Sequence, residues 1–378
     1  MKNILLLNKI AKVGTDALDK KEYNIGTDIE NPDAIMVRSA AMHDMTFGDN
    51  LRAVARCGAG VNNIPVESLS DKGVVVFNTP GANANGVKEL TIAAILLAAR
   101  NIVGGIEWAG SLKGTDGVAK AVEAGKSAFA GGEIAGKTLG VIGLGAIGGM
   151  VANTAAALGM HVIGCDPYLT VEAAWNMSHL VKKAQTFDEV FATADYITLH
   201  VPATAETKNM INEKTLSIMK DGVKIINLAR ADLVNAADLK KAIADGKVSA
   251  YITDFPTEET VGEKGIVTIP HLGASTEEAE DNCAVMAVKE MRDYLENGNI
   301  VNSVNYPACT LGPATKPGRL AILHRNVANM LGTFTSILGN AKVNIDAVAN
   351  KSRGDFAYTL IDVDTPVPAD VVQAIAAR

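Results

Sequence analysis

The sequence predicts an α/β protein: two doubly wound parallel sheets followed by a small βαββα module of the α+β kind. Three observations carry this. Near-continuous apolar runs alternate with helical patterns over most of the chain, as expected for parallel strands covered on both faces. One such run, "KTLGVI", leads into the glycine-rich turn "GLGAIGG", which opens a helical pattern. After a stretch rich in proline and glycine near residue 300, the order of strand and helix patterns changes.

Taken in order, "MKNILLLNKIAKVG" begins with a run too short for a signal-peptide core and reads as a first strand. "AIMVRS", "RAVARCG" and "GVVVFN" follow as strands, each ending in polar or glycine punctuation. "VKELTIAAILLAARNIVGGIEWAG" reads as one long helix, and its apolar core is too short to span a bilayer. From Gly136 a second series of strands begins: "KTLGVIGLG", "HVIGCDP", "DYITLHVP", "VKIINLAR", "VSAYITD" and "GIVTIPHLG". Helical segments such as "IGGMVANTAAALGM" and "ADLKKAIADGK" separate them. "EEAEDNCAVMAVKEMRDYLENGN" is helical, and "IVNSVNYPACTLGPATKPGR" reads as a linker. The tail gives "RLAILHRN" (strand), "VANMLGTFTSILGNA" (helix), "VNIDAVANKS" and "DFAYTLIDVD" (strands) and "PADVVQAIAAR" (helix).

With 378 residues, the chain exceeds what one core usually holds. Its net charge of −7 disfavours a nucleic-acid partner. The four cysteines, Cys57, Cys165, Cys283 and Cys309, show no CxxC pair, which suits reduced thiols in a cytoplasmic protein. No metal-ligand spacing stands out.

The chemistry starts at Gly143, Gly145 and Gly148, a GxGxxG between strand and helix. The first glycine allows a tight turn, the second a close approach by a pyrophosphate, and the third close packing of helix on strand. The helix start, at Ala146 and Ile147, offers free N–H groups to phosphate. Asp166 ends the next strand, where an acid binds ribose hydroxyls and repels a 2′-phosphate, so NAD is favoured over NADP. His271 stands just past an apolar strand, where open α/β sheets bind ligands. An imidazole there suits proton transfer to or from a substrate oxygen near neutral pH. Arg230 ends "KIINLAR" on the same edge and could clamp a carboxylate. Glu258 and Glu259 follow the strand ending at Asp254, and one of them beside His271 would orient the ring.

These segments resemble the D-isomer-specific 2-hydroxyacid dehydrogenases. The residues carrying the resemblance are "VRSA", "RCGAGVNNI", "NTPGANANGVKELT", "GKTLGVIGLGAIG", "INLARADLV" and "PHLGASTEEAE", in the family's order over residues 36 to 299. The resemblance implies a discontinuous, Rossmann-like substrate-binding domain (1–86 and 276–299) and an NAD-binding Rossmann domain (87–275). A linker (300–317) and an ACT-like regulatory domain (318–378) lacking its last strand complete the expected organisation. It implies oxidation of 3-phospho-D-glycerate to 3-phosphohydroxypyruvate with NAD, the first step of L-serine biosynthesis. The alternatives are a dehydrogenase for another D-2-hydroxy acid, or a non-catalytic NAD-sensing protein of the same fold.

By the same resemblance, Arg230, Glu259 and His271 form the catalytic triad. Glu259 follows from counting five residues on from Asp254, whereas aligning on "FPTE" gives Glu258. Further NAD contacts fall on Pro202, Thr207, Asp254 and Gly273, and substrate contacts on Arg38, Ser39, Gly58, Gly60 and Asn78. The tail's His324, Asn326 and Asn344 match positions that hold serine. A homodimer or homotetramer is implied, with no nucleic-acid or membrane partner. Three departures stand out: Ala231 where the family has glycine, Asn62 where it has aspartate, and only Lys126 in a segment usually rich in basic residues.

Overall fold

The computed structural model describes residues 1–378. The chain divides into two compact units, residues 1–83 with 277–378, and residues 84–276.

In the first unit, strands β1 (Lys2–Leu6), β2 (Tyr23–Gly26), β3 (Ala34–Val37), β4 (Ala53–Arg56) and β5 (Val75–Phe77) form a parallel sheet in the order β2-β1-β3-β4-β5. That is a flavodoxin-like order. The central strands are apolar on both faces because both are covered: Ala34 and Met36 pack into one core, Ile35 and Val37 into another.

The second unit holds β6 (Thr138–Ile142), β7 (His161–Cys165), β8 (Val181–Lys183), β9 (Tyr196–Leu199), β10 (Val223–Asn227), β11 (Val248–Thr253) and β12 (Ile266–Thr268). They pair in parallel in the order β12-β11-β10-β9-β6-β7-β8. The direction of winding reverses beside β6, which opens a crevice at the strands' carboxyl ends.

The expected long helix after residue 86 is in fact two, Ala84–Ala99 and Ile102–Ser111, bent by 69° at the break. Asn101 causes it: its side chain accepts a hydrogen bond from Gly104 N at 3.2 Å and starts a new helix. No single helix is long and apolar enough to cross a membrane.

The last part of the first unit is an antiparallel sheet of β13 (Gly318–Arg325), β14 (Ile345–Arg353) and β15 (Phe356–Val363), ordered β13-β15-β14. Helices Met330–Asn340 and Ala369–Ala376 cover one face through Phe334, Leu338, Val371 and Ile375. The other face is covered at its centre: Tyr358 and Leu360 of β15 join the core that contains Ile4, Met36 and Phe77. The segment before it, 300–317, is irregular but anchored. Buried Asn305 and Tyr306 hydrogen-bond to Val74 O and Ser70 O at 2.8 Å each.

Candidate active site

The glycine turn between β6 and helix Ala146–Ala157 leaves no room for a side chain at two of its three glycines. Gly143 has φ +87°, and a Cβ there would lie 2.5 Å from His200 O. A Cβ on Gly148 would lie 1.9 Å from Gly143 O. Gly145, by contrast, faces open space. The helix after it, with Ala146 and Ile147 in its first turn, has no side-chain cap, so its leading N–H groups are left for a ligand. Asp166, at the end of β7, is held by two backbone donors: Leu144 N to Oδ2 at 2.9 Å and Tyr168 N to Oδ1 at 2.8 Å. The acid is thereby fixed at the rim of the glycine turn.

His200 follows β9 beside this turn. Burial pushes its imidazole down to about 4, so it brings no charge to the crevice at neutral pH. The next turn is closed by Thr207, whose hydroxyl donates to Pro202 O at 2.6 Å and bonds with Thr204.

At the end of β10 the buried Asn227 shapes the arginine turn. Its amide donates to Arg230 O at 2.8 Å, and its carbonyl accepts from Ala229 N and Arg230 N. Arg230 is left exposed, with its guanidinium 5.7 Å from the centre of the Phe255 ring. His271, three residues past β12, packs on the same ring, with centroids 4.7 Å apart and the planes tilted by 46°. Phe255 thus contacts both the arginine and the histidine, a role the sequence reading missed. The phenylalanine after a strand-ending aspartate was the available signal.

Asp254 is buried and within electrostatic reach of both charged groups. Its Oδ2 accepts from Gly273 N at 3.1 Å, whereas Oδ1 has no partner. Burial raises its pKa, opposed by the Gly273 N–H and by the charges of His271 and Arg230. Glu258 and Glu259 are exposed, and neither hydrogen-bonds or ion-pairs with His271. Glu259 lines a cavity of about 150 Å³ with Asp232, Tyr251 and Phe255.

The residues present fit a dinucleotide. The glycine turn and uncapped helix suit a pyrophosphate, and the orphaned Asp254 Oδ1 suits a carboxamide N–H donor such as that of nicotinamide.

The substrate residues expected in the first unit gather at the carboxyl ends of β3, β4 and β5. The backbone N–H groups of Arg38, Ser39 and Ala40 all donate to Asn8 Oδ1, at 3.0–3.1 Å. Asn8 is a second residue the sequence reading missed. Arg38 pairs with Glu280 at 2.7 Å. Gly58 has φ +141°, and its missing Cβ leaves room for the Arg56 guanidinium. Asn78 donates to Ala59 O at 2.7 Å, closing the loop that carries Gly58 and Gly60.

In the tail, His324 Nε2 bonds to Thr359 Oγ1 and Nδ1 to Arg325 O, both at 2.9 Å. Asn326 donates to Gly354 O at 3.0 Å, and Asn344 to Asp364 Oδ2 at 3.1 Å. The three side chains thus have separate local partners.

A reversing parallel sheet, a glycine-cradled helix start and an arginine–histidine pair at the strand ends define a nicotinamide-dinucleotide dehydrogenase class of site. Residues 92–275 match the family model described as D-isomer specific 2-hydroxyacid dehydrogenase, NAD binding domain. The putative D-3-phosphoglycerate dehydrogenase of Schizosaccharomyces pombe is 32% identical, over 85% of this chain and 71% of its own. The D-3-phosphoglycerate dehydrogenase of Methanocaldococcus jannaschii is 36% identical, over 84% and 59%. The NAD+-bound 3-phosphoglycerate dehydrogenase of Entamoeba histolytica superposes with a TM-score of 0.63 at 25% identity, covering 80% of this chain and 98% of that one. The chain belongs to the D-isomer-specific 2-hydroxyacid dehydrogenase family, and its NAD-binding domain is the part that the family model matches. It spans 52% of the Bacillus subtilis relative and 59% of the Methanocaldococcus one.

Proposed function

We propose that this chain oxidises 3-phospho-D-glycerate to 3-phosphohydroxypyruvate with NAD, the first step of L-serine biosynthesis. The observation that carries the reading is the convergence of Arg230 and His271 on Phe255, within electrostatic reach of Asp254, whose Oδ1 is unsatisfied.

When bound, NAD supplies the acceptor for the hydride leaving C2. His271 takes the proton of the C2 hydroxyl as that carbon becomes a ketone. Arg230, exposed and held by the Asn227 turn, takes the substrate carboxylate in a bidentate pair and polarises the C2 oxygen. Glu259 supports the imidazolium, with Glu258 as the alternative one residue away. Asp166 accepts the ribose hydroxyls, and Pro202, Thr207 and Gly273 complete the cofactor contacts. Arg38, Ser39, Gly58, Gly60 and Asn78 bind the rest of the substrate.

In this reading residues 87–275 are the cofactor domain and 318–378 an ACT-like module. Its three-stranded sheet with two helices on one face is compatible with that assignment. His324, Asn326 and Asn344 are the residues assigned to serine there. A homo-oligomer in the cytoplasm completes the proposal.

A second reading, a dehydrogenase for an unphosphorylated D-2-hydroxy acid, draws on two ion pairs. Arg38 is paired with Glu280 and Lys126 with Glu123, so neither cation stands free for a phosphate. A screen of D-2-hydroxy acids with and without phosphate, read by NADH absorbance, decides between them. NADH formation from 3-phospho-D-glycerate at the highest kcat/KM supports the first reading. Its absence, with turnover of an unphosphorylated acid, supports the second.

A further inference from the structure

The end of β4 carries a guanidinium that the sequence reading did not single out. Arg56 lies against Gly58, in the space a Cβ would fill, and donates to Cys57 O at 3.1 Å. Its Nε is buried with no partner, and no carboxylate pairs with it. Burial, and to a lesser degree the charge of Arg38, push it below the usual arginine range, so the two guanidinium groups are electrostatic neighbours. Arg38 itself is not free. Glu280, in the first turn of helix Glu277–Asn297, holds it at 2.7 Å, with both side chains about 40% exposed. Val37 pairs with Arg56 across β3 and β4, so two cations and one carboxylate stand at these neighbouring strand ends.

We propose that Glu280 is a specificity-determining residue: by engaging Arg38 it lowers the chain's preference for phosphorylated over unphosphorylated 2-hydroxy acids. The inference rests on the reading that Arg38 meets the substrate's phosphate. A phosphate carries up to two charges and three acceptor oxygens, so it displaces a single carboxylate from a half-exposed arginine. The displacement consumes part of the attraction that Arg38 offers. An unphosphorylated acid places its one carboxylate on Arg230 and never competes with Glu280. The glutamate acts through Arg38 and touches no reacting atom, so it is a positioning residue.

Glu280→Gln keeps the shape of the side chain and removes its charge. The expected result is a KM for 3-phospho-D-glycerate roughly two- to five-fold lower, the range that a half-exposed ion pair supports, with kcat unchanged. The KM for an unphosphorylated D-2-hydroxy acid should stay where it was. In an Arg38→Ala background the same change should have no effect. A parallel measurement does not depend on turnover: the affinity of the full-length protein for inorganic phosphate, read by calorimetry, should tighten by the same factor. If the wild-type chain fails to oxidise 3-phospho-D-glycerate, the substrate reading falls, and phosphate affinity still tests Glu280. An unchanged phosphate affinity in Glu280→Gln, or an effect that survives intact in Arg38→Ala, overturns the inference.

Discussion

At the scale of single residues, His271 and Glu290 show how position decides a titratable group's work. His271 is exposed at the strand ends and packed against Phe255. His271→Ala should lower kcat by roughly 10²- to 10⁴-fold, the range for general acid–base catalysis, with NAD affinity little changed. Near-normal turnover would assign the proton to another group. Parallel Glu258→Gln and Glu259→Gln variants fix the register: the pH–rate profile should move for Glu259 and hardly for Glu258. Glu290 is the opposite case, buried in helix Glu277–Asn297. Its Oε1 accepts from Asn302 Nδ2 at 2.6 Å, and Oε2 has no partner. Burial pushes its pKa up to about 7, against the pull of Asn302 and Lys289. The folded protein therefore keeps a proton that the unfolded chain has already lost, and stability falls as pH rises from about 4.5 through 7. Glu290→Gln removes that loss, which is worth at most about 3 kcal/mol. Urea unfolding should find the variant more stable than wild type at pH 8 and nearly equal at pH 5. A constant difference across that range would mean that the carboxyl titrates normally.

At the scale of elements, the glycine turn couples strand, helix and cofactor. A methyl at position 148 would collide with the Gly143 carbonyl, which belongs to backbone and cannot swing away. Gly148→Ala should therefore displace the helix start and weaken NAD binding at least tenfold, while Gly145→Ala, facing open space, should be far milder in the protein without cofactor. Calorimetric titration of NAD and thermal unfolding of both variants check this, and equal melting temperatures would refute it. The turn, its strand and Asp166 were legible in sequence because each rests on a local pattern. So were Arg230 and His271, which sit at strand ends that apolar runs mark out. Short edge strands were not: β2 and β8 have few apolar residues and are fixed by pairing with β1 and β7. The break at Asn101 was overlooked although the signal, a good N-cap inside an apolar run, was present. Asn8 and Glu280 could not be found by pattern, because each acts on a residue far along the chain. Glu258 and Glu259 are ambiguous in sequence for a related reason: the strand and the motif fix different registers.

At the scale of the molecule, the C-terminal sheet is built into the first unit rather than hung from it. Its inner face supplies Tyr358 and Leu360 to the core around Ile4 and Met36. Tyr358 donates to Gly298 O at 2.6 Å, Arg353 to Ser303 O at 2.6 Å, and Arg325 pairs with Asp71 at 2.7 Å. The strongest tie is Arg319. Its guanidinium meets both oxygens of Asp362, at 2.5 and 2.7 Å, and donates to Asn297 O and Gly312 O, with both side chains less than a tenth exposed. Removing only the cation leaves Asp362 as an uncompensated buried charge. Arg319→Leu should therefore cost about 3–5 kcal/mol, and adding Asp362→Leu should restore part of it. If the sheet and the unit beneath it unfold together, hydrogen exchange in Arg319→Leu should quicken in β1, β3 and β4 as much as in β13 and β15. Faster exchange confined to β13–β15 would mean that the tail opens by itself, despite sharing its core with the strands that hold Arg38 and Gly58.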